Sequence, residues 1–219
     1  AQKRALSAQQ DAWTEKTSQL LSLTQPGAGY GLVLGTGSGR LLEELIDQSK
    51  LTLIAVEPDA QKVSALRAKY DAAGLLGTRV VVHQGNPLTF ELPAYMAELI
   101  VSEDLSALGG SLHADTWKVV YKSLRPYGGT ACLNLGETEY AELATTVEEK
   151  HLPRAELKQA EGFTLLTRVG ALPGSANWTH EYGDASNTLM SRDELVKAPL
   201  GVLWFGGPAG HGDLFYNRH

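Results

Sequence analysis

The chain has 219 residues, of which 43% are hydrophobic and 20% charged, with a formal net charge of −6 and a single cysteine. This length and composition suit one sizeable α/β domain with a small appendage and exclude a disordered tail. The acidic balance argues against a general affinity for nucleic-acid backbones or anionic membranes, both of which call for a basic surface.

No apolar stretch reaches the roughly 20 residues of a membrane span, and the opening AQKRALSAQQ lacks the apolar core of a signal peptide. The spacing of Ala5, Leu6, Trp13, Leu20 and Leu21 predicts a helix over 3–23, stopped by TQPGAGYG. YGLVLG then reads as a strand, and SGRLLEELIDQ as a helix that buries Leu41, Leu42, Leu45 and Ile46, with Ser38 as its N-cap. LTLIAVE is a second strand. DAQKVSALRAKYDAAG follows as a helix, capped by Asp59, closed at Gly74 and carrying Val63, Leu66 and Tyr70 on one face. TRVVVHQG and ELIVSED are the third and fourth strands. ADTWKVVYKSL is a helix with Trp117, Val120, Tyr121 and Leu124 in one stripe, and GGTACLNL is the fifth strand, in which Cys132 reads as a small buried thiol.

Strands that are continuously apolar and separated by helices describe a doubly wound, mostly parallel α/β sheet with helices on both faces. Beyond residue 136 the pattern predicts a surface helix in ETEYAELATTVEEK, a short helix in PRAELKQAE and a strand in GFTLLTRVG. The expected organisation is an N-terminal helical segment at 1–28, the α/β domain at 29–172, and a Gly/Trp-rich extension at 173–219.

The stretch GLVLGTGSGR places a glycine-rich turn between the first strand and the next helix, where backbone amides and the positive helix end face a ligand. A dinucleotide fingerprint reads GxGxxG; Gly35 and Gly37 fit it, but Arg40 holds the third position and Gly39 falls one residue early. That disfavours an NAD-dependent oxidoreductase. Glu57, at the end of the second strand, stands where an acidic side chain accepts from two ribose hydroxyls. VVVHQGNP, ELIVSEDL and LRPYGGTACLNL complete an ordered set spanning 29–136.

The set resembles the class I S-adenosylmethionine (SAM) methyltransferases, with GxGxG as their first motif and LRPYGG close to the LRPGG turn before the fifth strand. The resemblance implies SAM as cofactor, held by Gly35, Thr36, Gly37, Gly39, Glu57, Pro58, Gly85, Asn86 and Ser102, with Asn86 in place of the commoner Asp. The family's acid two residues before the first glycine, which helps hold the methionyl ammonium, is here Val33. The expected activity is methyl transfer to an unidentified small molecule or protein. The alternative is a degenerate, non-catalytic nucleoside-binding or structural module. Glu103, Asp104 and His113 are the candidate catalytic bases, by their place after the fourth strand.

His180, His211 and His219 with Asp184 and Asp213 match no compact ligand spacing, so no metal site is expected. NWTHEYGDASNT and PLGVLWFGGP resemble the entry into PQQ-binding-like β-propellers through Trp178, Asp184, Asn187, Thr188 and Trp204. One partial blade cannot close a propeller. The resemblance therefore implies a fragment of a longer bacterial protein and a contact with a downstream propeller. PLGVLWFGG has a rival reading as a last strand of the sheet. The compartment is cytoplasmic if SAM is used, whereas a propeller parent points to export.

Overall fold

The computed structural model describes residues 10–109, 112–177, 179–181, 183 and 185–196. The chain divides into two compact units, 1–171 and 172–219. In the first, α1 (Ala12–Thr24) begins at Asp11, whose carboxylate accepts from the backbone N–H of Trp13 at 2.9 Å and of Thr14 at 3.3 Å. The Thr14 hydroxyl accepts in return from the Asp11 N–H, a reciprocal cap that fixes the start of the helix. Then follow β1 (Tyr30–Leu34), α2 (Arg40–Gln48), β2 (Thr52–Glu57), α3 (Ala60–Ala72), β3 (Val80–Gln84) and β4 (Ala97–Val101). After a 3-10 turn at Leu105–Leu108 come α4 (Ala114–Ser123), β5 (Gly129–Leu133), α5 (Glu137–Glu148), β6 (Ala155–Ala160) and β7 (Phe163–Arg168).

The seven strands form one sheet in the order β3-β2-β1-β4-β5-β7-β6. The first five are parallel to one another; β7 runs antiparallel to β5, and the edge strand β6 runs antiparallel to β7 and so in the direction of the first five. Because successive strand residues point to opposite faces, β1 sends Val33 into one core and Leu32 and Leu34 into the other. The first core gathers Leu20, Leu41, Leu45, Val63, Leu66 and Tyr70 from α1, α2 and α3. The second gathers Trp117, Val120 and Tyr121 from α4 and Leu143 from α5. Two buried faces explain why the strands read as apolar runs instead of alternating. The α/β, doubly wound, mostly parallel architecture expected from the sequence is the one observed.

Two local expectations are corrected. PRAELKQAE is not a helix: residues 155–160 form β6, hairpinned to β7. Glu161 and Gly162 both have positive φ, 53° and 81°, the backbone signature of a two-residue hairpin turn whose twist matches the flanking strands. Ladder pairing from Ala155↔Arg168 to Ala160↔Phe163 overrides the helical leaning of Ala, Glu, Leu and Lys. The N-cap of α2 is Gly39 and not Ser38; Gly39 sits at φ 85° with no side-chain cap bond. The described part of the first helix starts at Ala12, and residues 1–9 lie outside the described residues.

Cys132 is 2% exposed, and burial pushes its thiol up to about 12. At pH 8 its thiolate fraction is therefore negligible. Ellman's reagent is expected to leave the native protein unmodified for hours and to titrate one thiol after denaturation; rapid native reaction contradicts this burial.

In the second unit, the Asp193 carboxylate accepts from the backbone N–H groups of Ala176, Leu195 and Val196, which hold it below the usual carboxylate range. An isolated bridge joins His180 and Gly183. Among the described residues of this unit there is no strand. Trp178, Asp184, Trp204, His211, Asp213, His219 and the PLGVLWFGG segment lie outside the described residues. No group of His, Cys, Asp and Glu that could hold a metal is found among the described residues, nor a helix long and apolar enough to cross a membrane.

Candidate functional site

From β1 the chain connects to β2 on one side of the sheet, while β4 lies on the other, so the order reverses between β1 and β4. In open α/β sheets ligands bind outside the strand carboxyl ends at such a point. Four of the expected segments meet at these ends: Gly35–Gly39 after β1, Glu57–Pro58 at the end of β2, Gly85–Asn86 after β3, and Ser102–Asp104 after β4.

The glycine turn depends on conformations that other residues rarely adopt. Gly35, Gly37 and Gly39 have φ of 79°, 53° and 85°. Gly35 is also crowded: a Cβ there falls 2.4 Å from the Asp104 carbonyl oxygen and 2.6 Å from the Ala107 Cβ. At Gly37 it falls 2.8 Å from Glu103 Cγ. The close approach that Gly35 and Gly37 allow is thus to the segment after β4, whereas a Cβ on Gly39 falls 2.9 Å from Leu66 Cδ2 on α3.

Glu57 is 2% exposed. Its Oε2 accepts from the Thr36 N–H at 2.8 Å and the Thr36 hydroxyl at 2.7 Å, and its Oε1 accepts from the Asp59 N–H at 3.1 Å. A carboxylate offers about four acceptor positions. Three donors leave room for one more, so Glu57 first ties the turn to β2 and then keeps capacity for a single ligand hydroxyl. Gly85 donates to the Glu57 carbonyl at 3.0 Å, which places Asn86 beside the same strand end. The exposed Asn86 turns its side-chain oxygen onto the Leu88 N–H at 2.9 Å. Ser102 is half-buried, and its hydroxyl oxygen is buried without a hydrogen-bond partner.

The three candidate bases stand differently. Glu103 Oε1 accepts from the Ser38 N–H at 2.7 Å and the Ser38 hydroxyl at 2.5 Å, while Oε2 accepts from the Leu41 N–H at 3.1 Å. Its carboxylate thus lies on the N-terminal amides of α2, and its own N–H donates to the Gly35 carbonyl at 3.2 Å. Asp104 caps the 3-10 turn, accepting from the Ser106 N–H at 3.0 Å and the Ser106 hydroxyl at 2.6 Å. His113 is exposed at the N-cap of α4 and makes no side-chain cap bond. The structure joins Glu103 to the glycine turn directly and sets Asp104 beside Gly35 through its backbone. It shows no hydrogen bond between His113 and the turn among the described residues.

Two contacts escape sequence reasoning. The engagement of Glu103 with Ser38 spans 65 positions; only the adjacency of β1 and β4 at the switch point signals it. The second is Arg40. Its guanidinium bonds Asp11 at 3.0 Å, Glu43 at 2.8 Å and Glu44 at 2.5 Å, binding α1 to α2. Where a dinucleotide turn calls for glycine, this chain has a side chain that is fully engaged elsewhere.

Several features fit SAM: the glycine turn, the spare acceptor capacity of Glu57 and the orphaned Ser102 hydroxyl. The three acids Glu57, Glu103 and Asp104 favour a cationic sulfonium and oppose a pyrophosphate. One feature does not fit, because the amides of Ser38 and Leu41 that a ligand carboxylate would use are taken by Glu103. Val33, at the position of the family acid, is fully buried in the core with Leu41, Leu45 and Cys132.

No family model and no curated protein matches the chain. Among solved structures it is similar to one described as a candidate S-adenosyl-L-methionine-dependent methyltransferase from Methanococcus maripaludis, at 16% identity and a TM-score of 0.58, covering 72% of this chain and 84% of the other. A SAM-dependent O-methyltransferase from Thermotoga maritima is similar at 12% identity and a TM-score of 0.54, over 74% of this chain and 68% of that one. A SAM-dependent methyltransferase from Aquifex aeolicus is similar at 14% identity and a TM-score of 0.51, over 69% of this chain and 87% of its own. At these identities the likeness is one of architecture: the chain has the fold of the class I methyltransferases.

Proposed function

We propose that the α/β domain binds SAM and transfers its methyl group to an unidentified small-molecule or protein acceptor. The observation that carries this reading is the glycine turn, with three positive-φ glycines and its Thr36 fastened to Glu57 at the ligand end of a methyltransferase fold. When bound, SAM supplies an electrophilic methyl on a sulfonium. Glu57 would accept one ribose hydroxyl with its remaining acceptor position, and the buried, unpartnered Ser102 hydroxyl just after β4 would be a further group to hold the ligand. The acids around the turn raise the local concentration of a cationic cofactor. In-line displacement at a sulfonium is served by positioning. Glu103, Asp104 and His113 are the proposed groups for any acceptor that must lose a proton, His113 being the exposed one.

Calorimetric titration of the protein with SAM and S-adenosylhomocysteine tests the reading. Saturable binding of either is expected, and heat of dilution alone at millimolar concentration defeats it. A second reading, a non-catalytic module that keeps the fold for nucleoside binding or interdomain contact, is favoured by the closure of the turn by Glu103 and by the buried Val33. Turnover of SAM with any acceptor excludes it. The likeness of the 173–219 extension to a propeller entry, with contact to a downstream propeller of the same parent, belongs to this second reading. Localisation follows from whichever reading holds.

A further inference from the structure

We propose that Glu103 is an internal competitor for the carboxylate of the ligand: it occupies the anion position of the glycine turn, and a carboxylate-bearing nucleoside enters only as Glu103 leaves. The inference rests on the SAM reading for the identity of the ligand, but its physical content is in this chain. A helix N-terminus presents unpaired N–H groups and a positive dipole end, and it favours an anion there. Here the Ser38 and Leu41 amides and the Ser38 hydroxyl all donate to one side-chain carboxylate, which arrives from the neighbouring strand instead of from α2 itself. The stem of that side chain lies over Gly37, since a Cβ on Gly37 falls 2.8 Å from Glu103 Cγ and 2.9 Å from Cδ. The Glu103 N–H on the Gly35 carbonyl, with Asp104 and Ala107 packed on Gly35, closes the crevice between β1 and β4 from the same segment.

The exchange conserves its interactions. An entering carboxylate takes over the donors that Glu103 releases, and Glu103, which is half-buried at the head of the connection to α4, moves its charge into water. The amides themselves are not lost to the ligand. What the ligand gains on them is offset by what Glu103 gives up, so affinity for a carboxylate-bearing nucleoside is depressed relative to the same nucleoside without a carboxylate.

Binding of S-adenosylhomocysteine and of methylthioadenosine, which lacks the amino-acid part, is measured by calorimetry on the full chain, on Glu103→Ala and on Glu103→Gln. Glu103→Ala is expected to bind S-adenosylhomocysteine about tenfold or more tightly than wild type, the scale of a charge-assisted hydrogen bond, with Glu103→Gln between them. Methylthioadenosine is expected to bind all three alike. Equal affinities for S-adenosylhomocysteine across the three proteins, or a parallel gain for methylthioadenosine, overturn the proposal.

A second readout does not depend on any nucleoside. Sodium acetate, against sodium chloride at equal ionic strength, is expected to shift the Ser38 and Leu41 amide resonances saturably in Glu103→Ala and not in wild type; silence in the variant overturns the proposal. If neither nucleoside binds any of the proteins, the SAM reading fails and the acetate result alone decides the role of Glu103. Circular dichroism shows whether Glu103→Ala is folded, and if it is not, Glu103→Gln carries both readouts.

Discussion

Gly35→Ala is expected to destabilise the domain by roughly 2–5 kcal/mol, about 1–2 from holding a Cβ residue in the left-handed region and about 1–3 from overpacking. The clash is what sets this glycine apart. The new methyl falls 2.4 Å from the Asp104 carbonyl oxygen, which belongs to the backbone and cannot be rotated away, and 2.6 Å from the Ala107 Cβ. Relief requires the segment after β4 to withdraw from the turn. Gly74→Ala is the control, because Gly74 has a comparable φ of 68° with nothing within 4 Å of a built Cβ. It is expected to lose only the left-handed contribution, about 1–2 kcal/mol. Urea denaturation of the three proteins measures the difference, and equal midpoints for Gly35→Ala and Gly74→Ala sink the steric argument.

Arg40→Ala is expected to cost about 3 kcal/mol, the low end for breaking a buried ion pair, because the guanidinium keeps some contact with solvent. Its side chain is 16% exposed, while its partners Glu43 and Glu44 are only 6% and 8% exposed. Loss of the cation leaves Glu44 with the Thr14 hydroxyl and Gln48 as donors, and Glu43 with Lys69. Two acids side by side on one turn of α2 then repel each other. The same substitution releases α1, so amide exchange is expected to quicken over 12–24 before the rest of the domain opens. Uniform exchange along the chain contradicts the assignment of Arg40 as the tie. The pH dependence has a definite sign. The hydrogen bond from Arg40 holds the Asp11 carboxyl below its usual range, aided by the Trp13 and Thr14 amides. The contribution of Asp11 is therefore complete above its unfolded pKa and is lost as pH falls through the lowered folded value.

The parallel half of the fold was legible because its signals are local. Apolar runs such as LTLIAVE and a capping Asp59 before α3 are consequences of a few consecutive residues, and the structure has them where the sequence places them. β6 was not legible for the opposite reason. AELKQA is a good helical hexapeptide by composition, and its strand conformation comes from ladder bonds to β7 and a positive-φ turn at Glu161, a residue with no special claim to that conformation. The site divides the same way. Gly35, Gly37 and Glu57 announce themselves by spacing, and Glu103 can be picked out as an acid after a strand. Which donors its carboxylate meets depends on two loops brought together by strand order, and no window of sequence contains both. Arg40 shows the limit from another side: its identity argued against a dinucleotide, but its partner Asp11 lies 29 positions away.

Both margins of the sheet are guarded, each by a different device. On the β3 margin the Val80 carbonyl accepts from the Gly77 N–H at 2.8 Å, and the Val82 carbonyl accepts from Arg67 Nε at 2.8 Å. Two peptide oxygens of that strand, those of Val80 and Val82, are therefore already taken. On the β6 margin the exposed Glu156 and Lys158 place alternating charges along the strand. An incoming extended peptide would have to displace bonded carbonyls at one border or bury charges at the other. Among the described residues, strand addition is thereby opposed at either border.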